Sequence, residues 1–196
     1  IQPSSAAAYN PDLKGYDFNV DKAKQLLKEA GYEKGFTFEV YTSASTTKWM
    51  EAINTYLNPL GINGKITQLE LGTVLDKARG GDFQAVFFST GGDSDSLNFL
   101  TSRFHSKNFG KPGNITLYKN PKVDQLLDEA ARTVDQPKQI KLIQDAEKII
   151  VEETPWFIFN YNKAVMIAQP WVHGLQPVPT DVDFQDLTQV SLSARH

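Results

Sequence analysis

Two carboxylates, Asp93 and Asp95, stand one residue apart in a Gly/Ser/Thr-rich loop. A pair of acids can draw in an ammonium group, or share a divalent cation if further oxygen ligands are at hand. The loop follows a run from Phe83 to Phe88 that is apolar but for Gln84 and shows no regular polar alternation. Such a run reads as a strand buried on both faces of a helix-covered sheet. Ligands of open α/β sheets bind beyond the carboxyl ends of their strands, so the two acids lie where a site is expected. Ser43, Ser45 and Thr46 occupy a second polar loop at a strand's carboxyl end, and their hydroxyls can hydrogen-bond a ligand.

Plainer roles compete for the same residues. Asp95 or Ser96 can cap the following helix, and Asp93 can close an Asx turn. Trp49, Trp156 and Phe157 are expected in the core. Catalysis finds little support. Asp93-Ser94-Asp95 is a D-x-D, yet Leu97 and Asn98 stand where a calcium loop needs further ligands. There is no G-x-S-x-G and no H-E-x-x-H, and His105, His173 and His196 share no ligand spacing. With no cysteine, thiolate chemistry and disulfides are excluded. No catalytic residue, metal or cofactor is expected.

The elements that would position these residues follow from periodicity. Asn19 caps a helix with Val20, Ala23, Leu26, Leu27 and Ala30 at helical spacing, ended by Gly31. Phe36, Phe38 and Val40 alternate with polar residues as a strand. A second helix carries Met50, Ile53, Tyr56 and Leu57 and stops at Gly61. Ile62 to Leu69 is a strand, Thr73 to Arg79 a short helix, and Phe83 to Phe88 a strand. This order predicts an α/β fold, a mostly parallel sheet with helices on both faces. Beyond it, Ser96 to Phe104 reads as a helix. Asn120-Pro121 opens another, with Val123, Leu126, Leu127 and Ala130 buried. Asp135 or Gln136 opens a third, with Ile140, Ile143, Ala146 and Ile150 buried. Trp156–Asn160 and Ala164–Ala168 read as two short strands. A length of 196 residues suffices for a sound core, and a net charge of −3 with mixed signs argues against a nucleic-acid partner. No apolar run reaches the ~20 residues that span a bilayer. The opening residues have no Met and no signal-peptide pattern, so the chain is expected to begin in mid-protein.

Several stations together resemble the extracytoplasmic solute-binding proteins of peptide-type ABC transporters (the oligopeptide, dipeptide and nickel class). Tyr16 to Tyr32 is similar to the family's Y-D-P-x-K-A-x-x-L-L-x-E-A-G-Y helix, and Leu57 to Ile62 to its L-x-x-x-G-I link. Gly81-Asp82-Phe83, Asn98-Phe99-Leu100, Tyr118 to Leu127 (Y-x-N-P-x-V-D-x-L-L) and Glu152 to Pro155 follow in order. The resemblance implies the C-terminal lobe of a two-lobed protein: a connector at 1–18, a ligand-binding lobe at 19–165, and a segment at 166–196 that returns toward an absent first lobe. That tail is expected to be misplaced, dimer-paired or loosely held.

The resemblance also implies capture of oligopeptides or similar solutes outside the membrane, in the periplasm or on a lipid anchor, and delivery to ABC permease subunits. Glycoside and metal-chelate members share the same helices and strands, so a non-peptide solute is the alternative. In the family an Asp of the W-x-G-D-x-x-D-P-x-N-F loop pairs with the peptide's α-ammonium group. Here Thr90-Gly91-Gly92-Asp93-Ser94-Asp95-Ser96-Leu97-Asn98-Phe99 is one residue short and lacks the aromatic. The ligand contacts so implied are Asp93, Asp95, Thr90 and Gly92, with Ser43 and Thr46 on a neighbouring loop and Asn114 at the cleft border.

Overall fold

The computed structural model describes residues 2–89, 95–110, 113–161, 165–176 and 187–193. The chain divides into two compact units. One comprises Lys14–Thr90 and Ser102–Asn120, the other Ile1–Leu13, Gly91–Thr101 and Pro121–His196.

The first unit holds helix α1 (Val20–Glu29), strand β1 (Phe36–Thr42), helix α2 (Thr47–Leu57), strand β2 (Ile62–Gln68), helix α3 (Leu71–Gly80) and strand β3 (Ala85–Phe87). Asn19 caps α1 as expected, its side chain accepting from the Lys22 N–H at 2.8 Å. The α1 stripe is half exposed all the same: no residue of the helix is buried, and Leu26 is 51% exposed. The three strands form a parallel sheet in the order β2-β1-β3, with Phe36 opposite Ile62 and Val40 opposite Ala85.

Side chains alternate across β1, so its two faces meet different partners. Phe38 lies beside Gly64 of β2, and a Cβ on Gly64 would come within 3.1 Å of both Phe38 and Met50. A side chain there would have to push these side-chain ends aside. Asn54 of α2 then takes both polar groups of the Gly64 peptide, accepting from its N–H at 3.0 Å and donating to its carbonyl at 2.7 Å. The outer edge of β2 is thereby closed at that point.

The opposite face is polar. Glu39 accepts from Tyr41 at 3.0 Å and from Thr67 at 2.9 Å, and Lys77 of α3 lies 4.7 Å from the Tyr41 ring centroid. Helices thus cover both faces, as the fold class requires.

The carboxylate of Glu39, accepting from the phenol, holds Tyr41 protonated above its ordinary value of 10.0; partial desolvation adds to this and the Lys77 charge opposes it. The resulting stabilisation is complete below about pH 10 and is lost as pH rises through the raised folded value. Tyr161 is also raised, first by burial and then by the nearby Glu147 charge. In an absorbance titration two tyrosines should ionise late, and Tyr41→Phe should remove one of them.

Two expectations fail here. The run from Phe83 to Phe88 yields a strand of only three residues, each half-buried, at the margin of the described sheet. The central strand is β1, whose Val40 and Thr42 are 1% and 0% exposed. An apolar run reports burial of some kind; it does not distinguish a centre from a margin. Trp49 is also not core, at 47% exposure.

The second unit is organised by α5 (Pro121–Arg132) and α6 (Gln136–Glu153), which pack on each other. Helix α4 (Ser96–Phe104) leads from this unit into the first. Val123, Leu126, Leu127 and Ala130 of α5 are buried, as are Ile143, Ala146 and Ile150 of α6. Asp135 caps α6 by accepting from the Lys138 N–H at 2.8 Å, and Thr154 ends it in the left-handed region at φ 47° before Pro155. The two strands expected at 156–168 are absent among the described residues: no ladder forms, and Phe157, Val165 and Ile167 are 69%, 80% and 94% exposed. Beyond this point β4 (Val172–His173) and β5 (Ser191–Leu192) pair, antiparallel.

Candidate functional site

β1 delivers its last residue, Thr42, fully buried, to a loop that turns directly into α2. The turn is built from hydroxyls. Thr42 Oγ1 and Thr46 Oγ1 are 2.7 Å apart, Ser43 Oγ and Thr46 Oγ1 3.2 Å, and Ser43 Oγ and Ser45 Oγ 3.0 Å. Thr46 Oγ1 also donates to the carbonyl of Phe87, at the end of β3, at 3.2 Å. Thr47 Oγ1 lies 3.0 Å from both the Ser43 carbonyl and Gln68 Oε1, between which its one proton is shared. One small cluster therefore ties together the carboxyl ends of all three strands.

Ser43 and Thr46 are brought together as the sequence predicts, but both are buried, at 6% and 6% exposure. Ser45 is the exposed end of the hydroxyl chain. Thr46 is spent on the fold, since its oxygen meets Thr42, Ser43 and Phe87. Thr46→Val should therefore cost about 1–2 kcal/mol in denaturant unfolding. Ser45→Ala should be neutral within about 0.5 kcal/mol. Thr42, Thr47 and Gln68 complete the cluster; the sequence marks Thr42 and Thr47 only as the two ends of the polar loop, and gives no sign of Gln68.

Of the other predicted residues, Asn114 and Asp95 are described. Asn114 is fully buried, and its amide is committed locally: Nδ2 donates to the carbonyls of His105 (3.1 Å) and Tyr118 (2.8 Å), while Oδ1 accepts from the Tyr118 N–H (3.0 Å). It fastens a turn in which Leu117 adopts φ 54°. Asp95 accepts from the N–H groups of Leu97 at 2.9 Å and Asn98 at 3.0 Å through one oxygen, capping α4. Thr90, Gly92 and Asp93 lie outside the described residues. Among the described residues no group of three or more metal-ligating side chains occurs, and no helix is long and apolar enough to cross a membrane.

A parallel sheet with helices on both faces and a polar loop at its strand ends is an open α/β arrangement, the class in which ligands bind beyond the carboxyl ends of the strands. Residues 1–111 match the profile of bacterial extracellular solute-binding proteins, family 5 Middle, and the chain belongs to that family. It is 27% identical to the dipeptide-binding protein of Escherichia coli K12 over 82% of this chain and 31% of that protein. It is also 27% identical to heme-binding protein A of Haemophilus influenzae, over 92% of this chain and 34% of that protein. Among solved structures, the ABC transporter-associated periplasmic binding protein DppA from Helicobacter pylori in complex with peptide STSA superposes with a TM-score of 0.71. Their identity is 31%, over 78% of this chain and 31% of that one. The chain spans about a third of the length of these relatives. Each of the three is named as a binding protein.

Proposed function

We propose that this chain is the C-terminal lobe, at about 19–165, of a two-lobed protein that captures oligopeptides outside the membrane and passes them to an ABC permease. In this reading residues 1–18 are the connector, and 166–196 return to the first lobe. Closure of the two lobes around the solute provides the binding energy, and no bond of the ligand is made or broken.

The observation that carries the proposal is the hydroxyl cluster at the carboxyl ends of β1, β2 and β3, in a chain of the solute-binding family. Hydroxyls both donate and accept, so Ser45, backed by Ser43 and Thr46, suits a peptide backbone irrespective of its side chains. Asp93 and the neighbouring Thr90 and Gly92 are proposed to meet the peptide's amino end, with Asp95 holding α4 in place beside them. The heme-binding relative favours a second reading, a non-peptide solute on the same framework.

Calorimetry on a form that includes the first lobe tests this. Short peptides should bind it, and the 196-residue chain should bind them at least about a hundredfold more weakly, having only half the contacts. Asp93→Asn should weaken binding about tenfold or more, while Asp95→Asn, which keeps an oxygen for the cap, should leave it unchanged. Equal peptide affinity in the isolated chain would sink the half-site assignment. Mass spectrometry of the co-purified ligand separates peptide from non-peptide solute.

A further inference from the structure

Within the unit built on α5 and α6, the start of the chain is fastened rather than trailing. Gln2 and Ala8 are buried, at 5% and 1% exposure. The Gln2 backbone N–H donates to Glu147 Oε1 at 2.8 Å, and the Ala8 N–H donates to Ser96 Oγ at 3.1 Å. Gln144 Nε2 donates to the carbonyls of Ala8 and Tyr9 at 3.4 and 3.3 Å. Gln144 and Glu147 are three residues apart and share one face of α6. Between these anchors the segment is folded on itself, with Ala6 N–H donating to the Pro3 carbonyl at 2.9 Å and Tyr9 N–H to that of Ala6 at 3.1 Å.

The same segment carries an opposing cost. Both polar atoms of the Gln2 side-chain amide are buried and have no protein hydrogen-bond partner among the described residues. Burying an unpaired amide is unfavourable, and lifting the segment returns it to water. Glu147, itself only 1% exposed, gains a charge-assisted bond while the segment is docked. One end of the segment is thus held by a strong bond and loosened by an adjacent unsatisfied group.

We propose that residues 2–9 form a releasable strap on α6, latched by Glu147 and kept metastable by the buried Gln2 side chain. The two-lobe reading bears only on its consequence: residues 2–9 belong to the connector, and releasing them lengthens the free path between lobes. A glutamine in a Pro/Ser/Ala stretch gives no sequence signal of burial, so the strap is visible only in three dimensions.

Amide exchange of Ala8, followed by NMR in the 196-residue chain without ligand, tests the strap separately from peptide binding. Glu147→Leu should speed that exchange about tenfold or more, and Glu147→Gln, which keeps an oxygen acceptor, should fall between it and the parent. Gln2→Met, similar in shape and without the amide, should slow exchange about tenfold. The Leu127 amide in α5 reports whether the unit itself stays folded. If Glu147→Leu also accelerates Leu127, Gln2→Met decides alone: slower exchange supports the strap, and unchanged or faster exchange overturns it. Exchange within roughly twofold of the parent in both Glu147→Leu and Gln2→Met also overturns it.

Discussion

Gly35→Ala is expected to cost about 3 kcal/mol or more of the stability of the sheet-containing unit, enough to leave a large fraction of the chain unfolded at moderate temperature. Gly35 and Gly61 precede the paired residues Phe36 and Ile62, so two chains enter the sheet side by side with their backbones touching. Both glycines have positive φ, 74° and 76°. A Cβ on Gly35 would overlap the Gly61 carbonyl and come within 2.6 Å of its Cα. Two penalties therefore add. The left-handed backbone disfavours any side chain by about 1 kcal/mol, and the clash is with main chain that no rotamer can move aside. Relief requires β1 and β2 to separate at their first pair. Urea unfolding followed by circular dichroism measures the loss; a midpoint unchanged from the parent would mean that the two strands do not start against each other. Gly31→Ala is the natural control: it also has positive φ, at 80°, but nothing lies within 4 Å of its added carbon, so it should pay the backbone cost alone.

Asn114→Leu is expected to cost about 3 kcal/mol by a different route. The side chain is close to isosteric, so packing is largely kept, but the three bonds that the buried Asn114 amide makes to the carbonyls of His105 and Tyr118 and the N–H of Tyr118 are lost. Leu117, one residue before Tyr118, sits at φ 54°, a conformation costing a non-glycine residue about 1–2 kcal/mol. The bonds from Asn114 are what hold that turn shut. Once they are gone, the turn has a local reason to relax, and the edge-on contact of Phe104 with Tyr118, at 6.2 Å between centroids, is disturbed with it. Asn114→Asp keeps the acceptor for the Tyr118 N–H but loses both donated bonds and brings a charge into a buried place, so it should be no milder than Leu. Thermal unfolding of the two variants side by side checks this. If Asp were tolerated and Leu were not, the donated bonds would be of little account.

The parts of the fold legible in the sequence are those in which each residue reports on its own element. The stripe Val123, Leu126, Leu127, Ala130 is the buried face of α5, and Asn19 and Asp135 make the caps their positions suggest. The alternation in β1 marks its two faces correctly. What could not be read depends on a partner distant in sequence. The run from Phe83 to Phe88 gives no sign that β3 has β1 as its one described neighbour, and Trp156–Asn160 looks like a strand only as long as a ladder partner is assumed. For the candidate site, Ser43 and Thr46 were recognisable as polar residues at a strand end. Their burial was not, because it follows from the Phe87 carbonyl, contributed from across the sheet. Asp95 makes the helix cap that was one of its two readings, whereas the bonds of Asn114 to the His105 and Tyr118 carbonyls leave no mark in composition.

The parallel sheet has a kinetic side. Phe36 meets Ile62 only with all of α2 looped out between them, and β3 joins β1 only with α2, β2 and α3 looped out. Every ladder bond in this sheet is earned by closing a long loop first. The α5–α6 pair needs only the short turn from Thr133 to Asp135. On refolding, the helical pair should be protected early and the sheet late. During that interval the hydroxyl cluster does not exist, because its members arrive from three strands that have not yet met.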